Sequence, residues 1–409
     1  MSKIDELIAK LCPDGVEYKA LADVFDTRNG YTPSKRNSEY WTNGTINWFR
    51  MDDIRANGRI LSDSIQKVSN SAIKGGKLFA ANSVIVATSA TIGEHALVTV
   101  PFMCNQRFTC LTPKPDYTAR LDMKFFFYYA DLLDRYCLDN TNNGGFASVA
   151  MNAFKEFQVA IPPMEIQQEI VRILDSFAEL EAELEAELEA RRAQYAYYRD
   201  KLLDFTERES VSWLKLGDIC LIQRGASPRP IRRYITDEFD GIPWIKIGDV
   251  DPNGKYIVRT KEKITEDGAH HSRFLKAGAF VLSNSMSFGR PYILRIDGCI
   301  HDGWLSLCDF ENSYLPDFLF HLIRSSYVQQ YWLGKVNTGS VSNLNADIVK
   351  ETPVPVPPLS EQRRIVDILD RFEAFTTSLS DGLPAEIEAR RQQYEHYRDK
   401  LLDFPRKVA

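Results

Sequence analysis

The sequence has no long hydrophobic run, and its cysteines do not form a recognisable framework. No stretch approaches the roughly 18 consecutive apolar residues of a transmembrane helix. The seven cysteines are scattered and contain no CxxC pair, which is typical of a reducing compartment and argues against disulfides and zinc. The opening segment MSKIDELIAKLCPDG lacks the apolar core of a signal peptide. These absences predict a cytoplasmic protein that does not enter a membrane.

Motifs of the common nucleotide-dependent and metal-dependent enzymes are also missing. Gly76-Lys77 and Gly334-Lys335 lack the upstream glycine and following hydroxyl residue of a phosphate loop. The only Pro-Pro pairs, in IPPM and VPPL, lack the Asp/Asn-Pro-Pro-aromatic pattern of an amino-methyltransferase. The adjacent pair His270-His271 is interpreted as surface, because neighbouring strand residues point apart. We therefore predict no catalytic residue, no metal site and no cofactor on this chain.

Length and charge set broad limits on the architecture and on the partners. A chain of 409 residues with 44% hydrophobic and 26% charged residues is expected to form two or three globular domains. Its net charge is −6, but the acidic excess lies in two helical segments, 165–205 and 359–404. The remainder is mildly basic, so mean charge neither supports nor excludes DNA binding.

A long segment of the chain occurs twice. The block YRDKLLDF ends both copies, at Tyr198–Phe205 and Tyr397–Phe404. IPPMEIQQEIVRILDSF from Ile161 is matched by VPPLSEQRRIVDILDRF from Val356. The period is too long for a solenoid repeat. We therefore expect one module, globular and then helical, to be present twice with internal pseudo-two-fold symmetry.

The helical part of each copy carries a continuous apolar stripe. In the first copy the stripe includes three tandem AELE units at 178–189, and its spacing of three and four residues predicts one long helix. Alone, such a stripe fits a solvated helical linker. Two matching stripes in one chain favour an antiparallel coiled coil instead. In the second copy, Gly382-Leu383-Pro384 predicts a break in the helix.

Together these blocks resemble the specificity subunit of type I restriction–modification systems. The strongest markers are GGFASVAMNAFKEFQVAIPPMEIQQEIVRIL from Gly144 and GSVSNLNADIVKETPVPVPPLSEQRRIVDIL from Gly339. IPWIKIGDV from Ile242 and the block Asn105-Gln106-Arg107-Phe108 are also similar to the family. The AELE units resemble the tetrapeptide repeats of one subfamily. The resemblance covers essentially the whole chain.

The resemblance implies an α+β fold of two mixed α/β target-recognition domains separated by two long antiparallel helices. It places an N-terminal helical segment at 1–17, recognition domains at 18–160 and 206–355, and helical spacers at 161–205 and 356–409. Each domain is expected to recognise one half of an interrupted site in double-stranded DNA. The helices are expected to set the spacing and to bind two methyltransferase subunits.

The cofactors implied by the resemblance belong to those partners. The methyltransferase subunits would bind S-adenosylmethionine and methylate a flipped adenine. Separate restriction or motor subunits would use ATP and Mg²⁺. This chain itself would bind no cofactor, and no membrane partner is expected.

Candidate DNA-binding residues are mostly basic or amide side chains near glycine or proline, since these groups contact phosphates and base edges. In the first domain they are Arg28, Asn29, Tyr31, Lys35, Arg36, Arg50, Ser89, Thr91, Arg107, Asn142 and Asn143. In the second domain they are Arg224, Ser227, Arg229, Arg232, Arg233, Lys246, Ser285, Ser287, Arg290, Asn337, Thr338 and Ser340. The first five of each set are expected in one loop. For Arg50 and Lys246, structural pairing is an equal alternative to phosphate contact.

Candidate partner-binding residues lie on the two YRDKLLDF-containing helices. Tyr and Arg are favoured at the centres of protein interfaces, which selects Tyr195, Tyr198, Arg199, Tyr394, Tyr397 and Arg398 as outward-facing residues. The alternative is that these side chains only complete the internal coiled coil.

Three other hypotheses remain open at this stage. A coiled-coil scaffold with two protein-binding domains explains the duplication but leaves the basic loops unexplained. An enzyme with an unrecognised site predicts activity from the purified chain alone. A targeting subunit of a fused nuclease–methyltransferase is a near relative that neighbouring genes would distinguish.

The AELE units generate a prediction about spacing. One added unit lengthens the helix by about 6 Å, while one base pair adds about 3.4 Å along DNA. Insertion of one AELE should therefore lengthen the unrecognised gap by one or two base pairs without altering either half-site. Sequencing of modified bases measures the gap, and an unaltered gap would refute the ruler hypothesis.

Overall fold

The computed structural model describes residues 3–142, 147–251, 254–284, 288–336, 344–377 and 382–407. The chain forms two compact units, and the first of them is built from two separate segments of the sequence. Unit 1 contains residues 1–182 and 389–409, and unit 2 contains residues 183–388. Each unit therefore combines one globular region with parts of both helical regions.

Unit 1 is a mixed α/β domain. Its helices are α1 (Lys3–Leu11), α2 (Leu21–Val24), α3 (Met51–Asn57), α4 (Met123–Asp139), α5 (Met151–Glu156) and the first part of α6 (Met164–Leu202). Its strands are β1 (Glu17–Ala20), β2 (Phe25–Asn29), β3 (Ile46–Phe49), β4 (Ile60–Leu61), β5 (Lys67–Val68), β6 (Ser83–Ala87), β7 (His95–Val98), β8 (Met103–Cys104), β9 (Phe108–Pro113), β10 (Thr141–Asn142), β11 (Ser148–Val149) and β12 (Gln158–Ile161).

Unit 2 has the same general composition and begins within α6. Its further helices are α7 (Leu216–Ile219), α8 (Glu266–His270), α9 (Pro316–Ile323), α10 (Ser326–Lys335), α11 (Ala346–Lys350), α12 (Leu359–Thr377) and the start of α13 (Leu383–Leu401), which continues into unit 1. Its strands are β13 (Ser212–Lys215), β14 (Leu221–Arg224), β15 (Ile235–Thr236), β16 (Ile242–Ile245), β17 (Tyr256–Ile257), β18 (Glu262–Ile264), β19 (Arg273–Leu275), β20 (Phe280–Ser283), β21 (Pro291–Leu294), β22 (Gly298–Ile300), β23 (Trp304–Cys308) and β24 (Pro353–Val356).

The sheets of the two units have matching topologies. A five-stranded sheet in unit 1 has the order β2-β9-β6-β7-β4, and its counterpart in unit 2 has the order β14-β23-β20-β21-β17. In both sheets only the last pair of strands is parallel, β7 with β4 in unit 1 and β21 with β17 in unit 2. The trio β5-β3-β8 corresponds to β18-β16-β22 within a larger sheet, and the pair β1-β12 corresponds to β13-β24. The predicted α+β class and the internal duplication are thus confirmed.

The long helices pack against each other in opposite directions, as the apolar stripes predicted. In unit 1 the Phe177 ring of α6 stacks on Tyr397 of α13, with ring centroids 5.7 Å apart. In unit 2 the equivalent pair is Phe372 of α12 and Tyr198 of α6, with centroids 5.6 Å apart. The predicted break is also confirmed, since α12 ends at Thr377 and α13 begins at Leu383. Pro384 lies in the first turn of α13, where its missing N–H is harmless.

The repeated LLDF sequence completes the core of each unit, but the two copies are exchanged. The first copy packs in unit 2, and the second copy packs in unit 1. Leu203 and Phe205, at the end of the first copy, are buried in the core of unit 2. Leu402 and Phe404, at the end of the second copy, are buried in the core of unit 1. The backbone continues this closure, because the Val16 amide donates to the Pro405 carbonyl at 2.8 Å. The end of the chain therefore completes the first globular region.

A buried glutamine joins α6 to the globular region of unit 1. The Gln167 side chain is fully buried, and its Oε1 accepts a hydrogen bond from the Asp122 amide at 2.8 Å. Its Nε2 donates to the carbonyls of Arg120 (2.8 Å) and Pro162 (2.7 Å). One side chain thus satisfies three backbone groups. These are the N–H of Asp122 and the carbonyl of Arg120, both just before α4, and the carbonyl of Pro162, just before α6.

Unit 2 repeats this arrangement with Gln362, which is also fully buried. Its Oε1 accepts from the Leu315 amide at 2.9 Å. Its Nε2 donates to the carbonyls of Ser313 (2.7 Å) and Pro357 (2.9 Å). Gln167 and Gln362 stand at the same distance from their Pro-Pro pairs in the sequence, so the duplication preserves this contact.

A second duplicated residue fixes each helix about two turns further on. Asp175 accepts hydrogen bonds from the Tyr128 hydroxyl at 2.6 Å and the Lys124 ammonium at 2.7 Å. In unit 2, Asp370 lies 2.8 Å from the His321 imidazole Nε2 and 3.2 Å from the Lys255 ammonium. Both carboxylates belong to the repeated sequence ILD. Each helix is therefore fixed at two points to its own globular region.

Replacement of the buried glutamine tests its role. Gln167→Leu keeps the approximate volume but leaves one N–H and two carbonyls unsatisfied, so it should lower the stability of unit 1 by about 2–4 kcal/mol. Gln168→Leu is the matched control, because Gln168 is exposed on the same helical turn. Differential scanning calorimetry measures both variants. An equal effect of the two substitutions would contradict this role of Gln167.

Candidate nucleic-acid interface

Unit 1 contains a polar cleft of about 680 Å³ beside the start of α3. Its walls come from the loop after β2, the junction of β3 and α3, and the turn between β8 and β9. The charged and aromatic residues that line it are Lys35, Trp41, Trp48, Arg50, Asp52 and Arg107. Its other polar lining residues are Thr32, Ser38, Thr42, Gln66, Asn105 and Gln106. Cations, hydroxyls and amides thus converge on one concave surface.

A glycine permits the close packing of the loop after β2. A Cβ at Gly30 would lie 1.9 Å from the Asn105 carbonyl oxygen, so any side chain would push the loop away. The equivalent glycine of unit 2 is Gly225, where a Cβ would lie 2.1 Å from the His301 carbonyl oxygen. In both units the loop is therefore held against the neighbouring turn.

An aspartate fixes the turn that carries Arg50. The Asp53 carboxylate is fully buried and accepts hydrogen bonds from the amides of Arg50 and Ile65, each at 2.7 Å. In unit 2, Asp249 accepts in the same way from the Lys246 amide at 2.9 Å. The repeated blocks INWFRMDDI and IPWIKIGDV therefore share a backbone turn that positions a basic side chain.

The guanidinium of Arg50 has few partners among the described residues. Its Nη1 lies 3.6 Å from the Asp52 carboxylate, which is 60% exposed, and its Cζ is 5.5 Å from the centre of the Trp48 ring. Its Nε is buried and has no hydrogen-bond partner. At 3.6 Å the Asp52 contact is too long for a hydrogen bond. Most donors of this side chain are therefore uncommitted.

The loop predicted from Arg28 to Arg36 is only partly a loop. Arg28 and Asn29 lie on β2, so their placement in a loop was wrong. The strand continues because both residues pair with β9. Arg28 lies over the Phe79 ring at 3.9 Å, and the Asn29 side chain accepts from the Thr109 hydroxyl at 3.0 Å.

The other three residues of the predicted loop, Tyr31, Lys35 and Arg36, lie in the cleft or next to it. Lys35 lines the cleft and is exposed. Arg36 is exposed beside it in sequence. Tyr31 is half-buried, and its carbonyl accepts from the Trp48 indole at 3.0 Å. Of the residues predicted in this domain, the structure brings Lys35, Arg50 and Arg107 together at the cleft.

A second polar group adjoins the cleft. Ser89 pairs with Ser148 in an isolated bridge, and Ser148 also pairs with Asn142 in the β10–β11 hairpin. Thr91 follows in the same half-buried loop. The amide of Thr88, next to Ser89, donates to the Arg107 carbonyl at 3.0 Å. The predicted residues Ser89, Thr91 and Asn142 therefore lie along one edge that leads to Arg107.

In unit 2, Asp302 organises the arginine-rich loop after β14. Arg224 itself lies on β14 and pairs with β23, so its predicted place in that loop was wrong. Its side chain accepts from the Ser227 hydroxyl at 2.8 Å, and its carbonyl accepts from Arg224 Nε at 2.9 Å. The Arg229 guanidinium lies 3.5 Å from the same carboxylate. Burial would raise the pKa of Asp302, but the Ser227 hydrogen bond and nearby cationic groups lower it overall. The carboxylate stays ionised and anchors the loop.

The remaining basic residues of unit 2 differ in how far they are engaged. Arg232 and Arg233 are exposed in a short 3₁₀ turn, and neither forms an ion pair with another described residue. The Lys246 ammonium is 2.6 Å from the Glu262 carboxylate. Of the two alternatives for Lys246, the structure therefore shows the ion pair within the domain. Arg290 is half-buried and lines a depression with Arg324. Asn143, Ser285, Ser287, Asn337, Thr338 and Ser340 lie outside the described residues.

Comparison with known proteins identifies the family. The family model "Type I restriction modification DNA specificity domain" matches twice, at residues 13–190 and 209–389. The chain belongs to this specificity family. The specificity subunit of the type I restriction enzyme EcoprrI from Escherichia coli is 40% identical over 385 residues, which cover 90% of each chain. The EcoR124I/EcoR124II specificity subunit from Escherichia coli is 37% identical over 59% of this chain and 60% of its own.

A solved structure supports the fold of this specificity-family chain. It comes from a study of complex assembly and conformational transition in the type I R-M system. The match has a TM-score of 0.70 at 16% identity and covers 95% of this chain and 97% of the other. At that identity the likeness concerns the fold alone.

Most of the partner-binding residues predicted for the family's helices do not face outward. Tyr195 is 6% exposed and its hydroxyl lies 2.9 Å from the His321 imidazole. The side chains of Arg199 and Arg398 are 11% and 14% exposed. Tyr394 is partly buried and packs against the core of unit 1. The prediction that these residues face outward was wrong, because the helix face that carries them packs against the globular region of its own unit.

Tyr198 and Tyr397 are the more exposed pair of this set, at 38% and 40%. Each stacks on a phenylalanine of the opposing helix and presents part of its surface. Whether any of the six residues contacts another subunit stays a prediction.

The structure brings together two groups of side chains that sequence spacing did not reveal. His95, Asp131 and Asp134 lie close enough to hold a metal ion. However, Asp131 is bound to Arg59 at 2.8 Å and to Arg398 at 3.1 Å. These cations already neutralise the carboxylate, which favours an ion-pair network over a metal site.

The second group is His321, Asp370 and Glu373 in unit 2. Glu373 pairs with Arg324, and Asp370 pairs with Lys255 at 3.2 Å. Burial would raise the pKa of Asp370, but the His321 hydrogen bond and the Lys255 charge lower it overall. This group also fits an ion-pair network. None of the helices in the described part of the chain is long and apolar enough to cross a membrane.

Sequence reasoning missed several residues of the interface region, namely Trp41, Asp53, Asp249 and Asp302. For Asp53 and Asp249 a signal existed, since both stand at the same place in the repeated block after the tryptophan. Trp41 and Asp302 have no such duplicate. Their roles depend on loops that pack together only in the folded domain.

The burial of Arg398 gives a test of structural against partner-binding roles. Arg398→Met removes the contacts to Asp131 and Asp399, and it should lower the stability of unit 1 by about 2 kcal/mol. Lys400→Met is the control, because Lys400 is exposed on the same helix. Thermal unfolding measures the effect. Unchanged stability together with lost partner binding would restore the interface interpretation.

Proposed function

We propose that this chain is the DNA sequence-specificity subunit of a type I restriction–modification complex. The observation that carries the proposal is the family match in both copies, which together span most of the chain. Each recognition domain would bind one half of an interrupted target in double-stranded DNA. The paired helices would set the gap and bind two methyltransferase subunits.

The two surfaces support unequal half-sites. Both units share a sheet topology and a fixed turn after β3 or β16, but the loops around this frame carry different basic side chains. Unit 1 has a cleft with Lys35, Arg50 and Arg107, while unit 2 has the exposed pair Arg232 and Arg233. Two similar frames with different basic surfaces suit recognition of two different sequences. A protein-binding scaffold would leave these basic surfaces unexplained.

We further propose that the chemistry belongs to the partners. S-adenosylmethionine would be bound by the methyltransferase subunits, which would flip the target adenine out of the duplex. ATP and Mg²⁺ would be used by separate restriction or motor subunits. The chain itself would be non-catalytic, would bind no cofactor and would act in the cytoplasm, where its DNA substrate is. Its contribution would be to select the DNA target and to position the partner subunits on it.

A map of modified bases in host DNA tests the proposal. With the gene intact, N6-methyladenine should occur in one interrupted, two-part motif, and deletion of the gene should remove it. Complementation with the intact gene should restore the same motif. A gene carrying both Arg232→Ala and Arg233→Ala should restore methylation less fully, because two exposed charges near DNA are lost. An identical map with and without the gene, in cells that express the methyltransferase, would refute the proposal.

A further inference from the structure

The cleft of unit 1 contains an excess of positive charge with little to neutralise it. Lys35, Arg50 and Arg107 line it, and its one acidic lining residue is Asp52. The Asp52 side chain is 60% exposed and lies 3.6 Å from Arg50. An exposed ion pair of this length contributes little. The cleft therefore keeps a positive potential that favours an anion.

Arg50 has donor capacity that the described protein groups do not use. Its Nε is buried without a hydrogen-bond partner, and an unsatisfied buried donor is unfavourable. The backbone of Arg50 is fixed by the buried Asp53 carboxylate, so the side chain begins from a defined position. The Arg50 side chain is 30% exposed, so the outer N–H groups of its guanidinium can bind an oxyanion in the cleft.

The equivalent residue of unit 2 is arranged differently. Lys246 occupies the same turn, but its ammonium is 2.6 Å from the Glu262 carboxylate. The same backbone position thus carries a paired cation in one domain and a largely unpaired one in the other. This difference points to a ligand that unit 1 binds at this position.

We propose that this cleft binds the phosphodiester backbone of DNA, with Arg50 as its central phosphate contact. The inference rests on the proposed function and names the DNA group that this site binds. The sugar–phosphate ridge of a duplex is convex and matches a concave surface, whereas base edges lie at the floor of a groove and are reached by protruding elements. The hydroxyls of Thr32, Ser38 and Thr42 supply neutral donors suited to phosphate oxygens.

A phosphate contact and a base contact have different experimental signatures. Loss of a phosphate contact weakens binding to all sequences about equally and lowers the slope of log affinity against log salt by about one. Loss of a base contact relaxes or changes one position of the motif instead. The test therefore combines DNA affinity over a series of salt concentrations with the methylated motif.

The experiment uses the full chain assembled with its methyltransferase subunits, and duplexes with and without the motif. Arg50→Gln should weaken binding to both duplexes about tenfold, lower the salt slope by about one and leave the motif unchanged. Arg50→Lys keeps the charge and should retain the slope. Arg55→Gln is the matched control, since Arg55 is exposed on α3 and does not line the cleft.

Two further variants keep the proposal testable if Arg50→Gln fails to fold. Lys35→Gln and Arg107→Gln should each lower the slope in the same way, because both cations line the same cleft. An unchanged slope in the folded cleft variants would overturn the inference, and so would a changed motif. If the unaltered complex shows no preference for its motif, the proposed function fails first and the inference fails with it.

Discussion

The attachment of each long helix to its globular region depends on one buried glutamine. Gln167 and Gln362 each bind three backbone groups that burial would otherwise leave unsatisfied. Because these groups belong to separate segments, one side chain fixes the direction in which the helix leaves the domain. Further along, Asp175 and Asp370 provide the second point of attachment. A helix that is held at two points can act as a rigid extension of its domain.

The two copies preserve the residues that build this frame and vary those that face solvent. Gly30 and Gly225, Asp53 and Asp249, and the two buried glutamines have the same role in both units. Around them, the basic residues differ in number, position and pairing. A frame that depends on backbone hydrogen bonds tolerates such changes, because the varied side chains contribute little to the fold. Two recognition surfaces can therefore diverge without loss of the common architecture.

The net charge of the chain does not show where its charged side chains lie. The chain is acidic overall, yet unit 1 gathers three cations at one cleft and unit 2 exposes two arginines in one turn. Other basic residues are committed to carboxylates, as Arg398 is to Asp131 and Lys246 is to Glu262. Only cations that form no ion pair with a carboxylate remain available to a polyanion. Local structure thus decides which basic residues contribute to DNA binding.

By itself, the sequence determined the duplication, the mixed α/β class, the antiparallel helices and the break before α13. These features follow from local periodicity, from proline and from repeated blocks, all of which are visible along the chain. The tertiary structure decided that Leu402 and Phe404 complete the first unit, that Tyr195 and Arg398 face inward, and that Lys35, Arg50 and Arg107 share a cleft. The physical reason is that these properties depend on contacts between residues far apart in the sequence. Helical spacing shows which side chains share a face, but only packing decides what that face contacts.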